Sequence, residues 1–176
     1  TNCFTPMAKI LHDHYGIVDG VMTTIHSYTN DQRLLDTPHK DLRRSRSAAL
    51  NIVPTSTGAS EAVASVIPDL AGKIIGSAIR VPTPDGSLCH FVVTLSKDRH
   101  ICIKEEVKAL FKKASQGAMK GILEYSDDAL VSSDIIGNPN SCIFDAQLTD
   151  CIGQKLVVVG WYDNEWGYSC RMIDLI

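Results

Sequence analysis

The residues best suited to covalent chemistry are a cysteine at the start of the chain and a histidine at position 26. Cys3 precedes the amphipathic segment FTPMAKILHDHY, and a thiol at a helix N-terminus is acidified and becomes a better nucleophile. His26 ends an apolar stretch where a long polar segment, 28–53, begins, and a strand end beside a loop can present a base. The alternative is a histidine that only hydrogen-bonds a backbone carbonyl. Together the two residues would perform nucleophilic catalysis.

Arginines and hydroxyl residues recur in two nearby segments, DLRRSRSA and PTSTGAS. Guanidinium groups match phosphate geometry, and a helix start at Gly58 with hydroxyls before it can hold an anion. Arg80 interrupts an apolar strand, so it needs a carboxylate or a bound anion as its partner. The competing explanations are a solvated charged face and a helix cap without a ligand.

The segment WYDNEWGYSCR follows an apolar run near the end of the chain. The amide of Asn164 can bind a polar group of a ligand there, with Tyr168 close by; the alternative is a capped turn into a helix. No metal site is expected, because His12 and His14 are too close in sequence to share a helical face and no C-x-x-C pair occurs.

Composition excludes several classes of protein. Net charge is −3 and the pI is about 6.0, which argues against nucleic-acid or membrane-surface partners. No apolar run reaches membrane-spanning length. The six cysteines lie far apart in sequence, which favours reduced, mostly buried thiols in the cytosol. Because the chain begins without Met and inside a motif, we expect a fragment of a longer protein.

Hydrophobic periodicity predicts the elements that must position these residues. A first helix, capped by Asn2 or Thr5, ends at Gly16. The other predicted helices cover 58–66, 104–115 and a segment from about 165. The predicted strands cover 16–27, 74–81, 88–95, 121–125, 130–133, 141–146 and 155–161. A hairpin-length loop, PTPDGS, joins the second and third strands. These elements predict an α+β domain with a mostly antiparallel sheet and helices packed on it.

Several segments resemble, in order, the catalytic domain of the phosphorylating glyceraldehyde-3-phosphate dehydrogenase family, in its bacterial form. They are TNCFTPMAKILHD, GVMTTIHSYTNDQRLLDTPHKDLRRSRSAALNIVPTSTGA, RVPTP, KGILEYSDDALVSSD, FDA and WYDNEWGYSCRMIDL. The resemblance implies a mixed, mostly antiparallel sheet with helices on one face. It also implies that residues 1–176 are the C-terminal catalytic domain and that an N-terminal NAD-binding Rossmann domain is missing from this chain.

The resemblance assigns roles residue by residue. Cys3 matches the second cysteine of the family motif, so the nucleophile lies upstream of Thr1 and His26 matches its base. Substrate- and phosphate-binding positions match Thr29, Arg44, Thr57, Gly58 and Arg80. Cofactor-binding positions match Asn164, Tyr168, Thr37 and Pro38, the last two on a loop that approaches a neighbouring subunit's cofactor.

The implied reaction oxidises and phosphorylates glyceraldehyde 3-phosphate to 1,3-bisphosphoglycerate with NAD and inorganic phosphate, through a cysteine thioester. The implied assembly is a cytoplasmic homotetramer, and the isolated chain is expected to be inactive. Two alternatives stay open. One is the related erythrose-4-phosphate dehydrogenase, and the other is a free-standing cysteine hydrolase or acyltransferase that uses Cys3 and His26.

Overall fold

A computed structural model describes residues 1–96 and 104–176. His100 and Cys102, predicted as a loop residue and a reduced thiol, lie outside the described residues. The described helices are α1 (Phe4–Tyr15), α2 (Ala59–Val66), α3 (Lys104–Gln116) and α4 (Trp166–Ile173). The strands are β1 (Ile17–Ser27), β2 (Val53–Thr55), β3 (Ile74–Val81), β4 (Ser87–Leu95), β5 (Leu123–Ser126), β6 (Cys142–Ile152) and β7 (Lys155–Tyr162).

Within the described residues the strands form one seven-stranded sheet in the order β2-β3-β1-β4-β7-β6-β5. Strand β1 runs parallel to β3 and antiparallel to β4, and β5 runs parallel to β6. The remaining pairs are antiparallel, so the predicted mixed, mostly antiparallel sheet is confirmed. The expected hairpin across PTPDGS is wrong, because β1 lies between β3 and β4. The short connection instead joins β6 to β7, where Ile152 pairs with Lys155.

Helices α1, α2 and α3 cover one face of the sheet, because their apolar sides and the alternate strand residues share one buried core. Phe4 of α1 meets Phe91 of β4 edge to face at 4.9 Å, and Phe111 of α3 stacks on Phe144 of β6 at 3.9 Å. A smaller cluster on the opposite face contains Ile135, Ile143, Val159 and Trp161. The predicted helices on one face are therefore confirmed.

Three local predictions are wrong. Helix α1 begins at Phe4 without a side-chain cap, and the buried Thr5 hydroxyl has no hydrogen-bond partner within residues 1–96 and 104–176. Residues 130–133 do not form the predicted strand, because a 3₁₀ turn, Ser132–Ile135, takes up the second half of the segment; the Val131 N–H bonds the Asp134 carboxylate and the Asp134 N–H bonds the Val131 carbonyl. Strand β2 lies at the end of the segment predicted as a polar loop, because its pairing with β3 overrides the weak local pattern.

The register of the sheet places two candidate site residues side by side. In the parallel pair, His26 of β1 lies opposite Arg80 of β3, and Val53 of β2 lies opposite Arg80 from the other side. Residues 26, 57 and 80 thereby gather at one end of the sheet. Within the described residues, no helix is both long and apolar enough to span a membrane.

Candidate active site

His26 sits at the end of β1 with its imidazole partly buried. Its Nδ1 atom lies 2.7 Å from the Ser27 carbonyl oxygen, so Nδ1–H donates and the Nε2 lone pair remains available. Burial, with the charges of Arg80 and Arg44, lowers the pKa of His26 to about 4 against the opposing effect of the Ser27 bond. The imidazole is therefore neutral at pH 7, the state that a general base requires.

Arg80 has no carboxylate partner among the described residues. Its Nη1 atom donates to the Ser27 carbonyl and to the Thr29 hydroxyl, each at 3.2 Å, and lies 3.2 Å from His26 Nδ1. Its Nε–H is buried without a partner. Burial lowers the pKa of Arg80, which shows that this cation is only partly compensated. Of the two partners expected from the sequence, the bound anion fits this geometry better than a carboxylate.

Arg44 reaches the site from the loop before β2. Its Nε and Nη2 atoms donate to the Thr55 hydroxyl at 3.0 and 2.8 Å, and Nη1 bonds the Asp31 carboxylate. The same contact with Arg44 holds the pKa of Asp31 below its usual value. The Asp31 carboxylate also lies 3.6 Å from His39 Nε2, so it is in contact with both Arg44 and His39. These bonds hold the guanidinium in one orientation.

Thr57 and Gly58 immediately precede helix α2, and the Thr57 hydroxyl accepts the Ala59 N–H at 3.2 Å. A cavity of about 450 Å³ opens in front of this helix start. Its walls contain His26, Arg44, Thr57, Gly58 and Arg80, together with Thr1, Thr24, Ser56, Ala59, Ala78 and Tyr162. Thr29 lines a neighbouring cavity of about 710 Å³ and joins this group through its bond with Arg80. The structure therefore brings together all the residues predicted to bind substrate and phosphate.

Cys3 does not have the environment of a nucleophile. Its side chain is 2% exposed, and its thiol donates weakly to the Trp161 carbonyl at 3.8 Å. Burial, followed by the contact with Cys142, raises the pKa of this thiol well above its usual value. Cys89 and Cys142 are buried free thiols, whereas Cys151 and Cys170 are partly exposed. A buried thiol with a raised pKa does not support the hydrolase alternative, which requires a reactive Cys3.

Asn164 and Tyr168 line a separate cavity of about 260 Å³. Thr1 and Tyr162 border both this cavity and the one that contains His26, so the two are adjacent. Asn164 is held by Ser27 and Ser87, whereas Tyr168 is 57% exposed. The capped turn that was the alternative explanation is also present, because Asp163 accepts the N–H groups of Glu165 and Trp166.

Thr37 and Pro38 lie apart from these cavities on the exposed loop between β1 and β2. The Thr37 N–H donates to the Ser45 carbonyl at 3.0 Å, and the Pro38 carbonyl accepts a bond from Arg33. Their contacts are internal to the loop, which gives the loop a defined shape without joining it to the histidine.

Sequence reasoning missed three residues that shape the site, Asp31, Ser87 and Tyr162. Asp31 could have been predicted as an ion-pair partner, because its carboxylate lies in the same polar segment as Arg43, Arg44 and Arg46. Ser87 and Tyr162 could not be predicted from the sequence, because their positions at the ends of paired strands become informative only in three dimensions.

Asp85, Asp163 and Glu165 place carboxylate oxygens within 4.8 Å of one another. The bonds that Asp163 accepts from backbone N–H groups account for its place in this turn.

The geometry can be compared with known families. A family model described as glyceraldehyde 3-phosphate dehydrogenase, C-terminal domain, matches residues 1–164. The chain belongs to this family. The match covers the strands that carry His26 and Arg80 and extends to Asn164, so the candidate residues other than Tyr168 lie within it.

Relatives with high identity carry the same family name. Glyceraldehyde-3-phosphate dehydrogenase of Streptomyces coelicolor is 58% identical over 177 residues, covering 99% of this chain and 52% of that protein. Glyceraldehyde-3-phosphate dehydrogenase 2 of Streptomyces avermitilis is 56% identical over 176 residues, covering 99% of this chain and 52% of that protein. The enzyme of Mycobacterium tuberculosis strain H37Rv is 56% identical over 176 residues, with 100% and 51% covered. The chain spans about half the length of the curated relatives it matches.

Proposed function

We propose that residues 1–176 are the catalytic domain of a phosphorylating, NAD-dependent glyceraldehyde-3-phosphate dehydrogenase. An N-terminal NAD-binding Rossmann domain and the nucleophilic cysteine precede this chain in the full-length protein. The observation that carries the proposal is one cavity that contains a neutral histidine, two arginines and a helix start. The histidine serves an acyl-transfer reaction, and the cationic groups serve two phosphates.

His26 acts as the base in this proposal. Its Nε2 atom takes the proton of the attacking thiol, gives it to the aldehyde oxygen as the hydroxyl forms, and takes it back when that hydroxyl becomes the thioester carbonyl. Its Nδ1–H bond to the Ser27 carbonyl fixes the tautomer, and burial keeps the ring neutral. Thr1 lines the same cavity as His26, which is consistent with a nucleophilic cysteine located just upstream of Thr1. When bound, NAD⁺ accepts the hydride from the aldehyde carbon.

The two phosphates occupy different walls of the cavity in this proposal. Arg80 and Thr29 bind the phosphate of glyceraldehyde 3-phosphate, since Arg80 retains an unpartnered Nε–H and contacts the Thr29 hydroxyl. Arg44, Thr57 and Gly58 bind the inorganic phosphate that attacks the thioester, since a helix N-terminus and a fixed guanidinium favour an anion there.

Asn164 and Tyr168 fit the carboxamide and the flat ring of a nicotinamide. Asn164 uses one N–H and one oxygen lone pair for its bonds to Ser27 and Ser87, so a second N–H remains for the nicotinamide carboxamide. The exposed Tyr168 ring lies beside it. The exposed loop with Thr37 and Pro38 is free to approach a neighbouring subunit's cofactor in a homotetramer. We place the full-length enzyme in the cytoplasm.

The test uses the full-length protein with NAD⁺, inorganic phosphate and D-glyceraldehyde 3-phosphate, and it follows NADH at 340 nm. We expect phosphate-dependent NADH production and a loss of at least about 10²-fold in kcat for His26→Asn. His14→Asn, on the exposed side of α1, is the matched control and should keep wild-type kcat. A strong preference for erythrose 4-phosphate would favour the related four-carbon enzyme instead.

The isolated chain gives a second test. We expect no NADH production by residues 1–176 alone, because neither the nucleophile nor the cofactor domain belongs to them. Robust production by the purified chain would contradict the proposed location of the nucleophile.

A further inference from the structure

Ser87 occupies the junction between the two cavities. It is the first residue of β4 and is 1% exposed. Its hydroxyl donates to the Asn164 side-chain oxygen at 2.5 Å and accepts the Ser27 backbone N–H at 3.0 Å. The Ser27 hydroxyl lies 3.5 Å from the same oxygen atom. The single proton of Ser87 is therefore used toward Asn164, and its lone pairs face the backbone N–H and the hydroxyl of Ser27.

The backbone around Ser87 is held in one conformation. Gly86 has a φ of 81°, and a Cβ atom there would lie 2.3 Å from the Ser132 carbonyl oxygen. The Asp85 carboxylate accepts the N–H of Gly86 at 2.6 Å and that of Asn164 at 3.3 Å. The turn that presents Ser87 therefore also anchors the backbone of Asn164.

These bonds determine which way the Asn164 amide points. Ser87 accepts the Ser27 N–H with one lone pair and gives its only proton to the Asn164 oxygen, so this oxygen faces Ser87. The Asn164 nitrogen then donates to the Ser27 hydroxyl, whose residue also supplies the carbonyl that holds His26. We propose that Ser87 is a positioning residue that fixes the amide of Asn164 in the orientation that donates to a ligand carboxamide and links it to the strand bearing His26.

The inference rests on the proposed function for its ligand, but the positioning itself does not. A serine that only fills space would affect stability and all kinetic constants alike. A positioning serine acts through Asn164, so its effect should disappear when the Asn164 side chain is removed.

The kinetic experiment is a double-mutant cycle in the full-length protein with Ser87→Ala, Asn164→Ala and the combined variant. We expect Ser87→Ala to raise KM for NAD⁺ about five- to tenfold, the effect of one buried hydrogen bond, with KM for phosphate unchanged. In the Asn164→Ala background the same substitution should have no further effect on KM for NAD⁺. A full effect in that background, or equal changes in both KM values, overturns the inference.

Ser126→Ala is the matched control. Ser126 is also buried, and its hydroxyl accepts the Asp128 N–H at 3.0 Å at the end of β5, on the far edge of the sheet. It should lower stability without changing KM for NAD⁺, because it has no contact with Asn164.

A measurement that needs no activity separates the two proposals. In the ¹⁵N spectrum of this chain, the Asn164 side-chain NH₂ pair is assigned by its loss in Asn164→Asp. We expect Ser87→Ala to move this pair toward the shifts of a free amide and to speed its exchange with water about tenfold or more. An unchanged pair overturns the positioning role. A changed pair in a protein whose full-length form lacks dehydrogenase activity supports the positioning and contradicts only the proposed function.

Discussion

The Nδ1 atom of His26 lies 3.2 Å from the Nη1 atom of Arg80, because the two residues are paired across the parallel strands β1 and β3. Both atoms donate to the Ser27 carbonyl, so they share an acceptor and do not bond each other. The guanidinium disfavours protonation of the imidazole, and burial acts in the same direction. A single backbone carbonyl thus orients both the candidate base and the candidate anion-binding residue.

The lowered pKa of His26 predicts acid sensitivity of the fold. The pKa of His26 is about 4 in the folded state and 6.5 for an ordinary histidine, so the unfolded chain takes up a proton first as the pH falls. Stability should therefore decrease between about pH 6.5 and 4, by roughly 2 kcal/mol after allowance for the partly exposed ring. Urea unfolding at several pH values measures it. His26→Asn should lose this component, whereas His14→Asn should keep it; an identical pH dependence in wild type and His26→Asn would contradict the assignment.

The cavity predicts that this chain binds inorganic phosphate or sulfate without a cofactor. Arg44→Lys and Arg80→Lys should each weaken phosphate binding about tenfold, because lysine cannot reproduce the paired donors of a guanidinium. Isothermal titration or chemical-shift titration of the Thr57 and Gly58 amides measures the affinity. Arg43→Lys is the control, since Arg43 is exposed nearby and does not line this cavity. Equal affinity in all three variants would show that binding depends on net charge alone.

The burial of Cys3 predicts slow alkylation. Its thiol is buried and its pKa is raised, so little thiolate is available to iodoacetamide. We expect Cys170, which is partly exposed, to react at least about tenfold faster than Cys3 in the native chain. Both should react at similar rates in urea. Mass spectrometry of the labelled peptides gives the rates, and preferential labelling of native Cys3 would revive the hydrolase alternative.

The close packing at Gly160 predicts a large cost for a single methyl group. A Cβ atom at this position would lie 2.8 Å from the Cys142 and Met7 sulfur atoms and 3.0 Å from the Cys3 sulfur. Gly160→Ala should lower the free energy of unfolding by about 1–3 kcal/mol through overpacking. Combining it with Cys142→Ala should recover part of the loss, because one of the obstructing sulfur atoms is removed. Denaturant unfolding measures both changes, and an unchanged stability of Gly160→Ala would contradict the packing described.

The sequence predicted the long elements well where apolar periodicity was strong. Helix α3 and strand β7 match their predicted ranges closely, because the buried residues of α3 lie one helical turn apart and β7 is a nearly continuous apolar run. Strand β6 extends to Ile152, beyond the predicted end at 146. The prediction stopped early because the register shift between Asp145 and Asp150 interrupts the alternation of buried and exposed residues. The prediction of a hairpin across PTPDGS was wrong because a turn motif does not determine strand order, and β1 lies between β3 and β4 in the sheet.

Residue types alone determined that this chain would have a base candidate, several phosphate-binding candidates and a buried, mixed α+β core. Those properties follow from local chemistry, which a sequence carries directly. Only the tertiary structure decided that His26 and Arg80 face each other, that Arg44 is held by Thr55 and Asp31, and that Ser87 joins Asn164 to β1. These relations depend on strand order and register, which are set by packing between segments far apart in the chain. The burial of Cys3 was decided in the same way, by β7 and the helices closing around it.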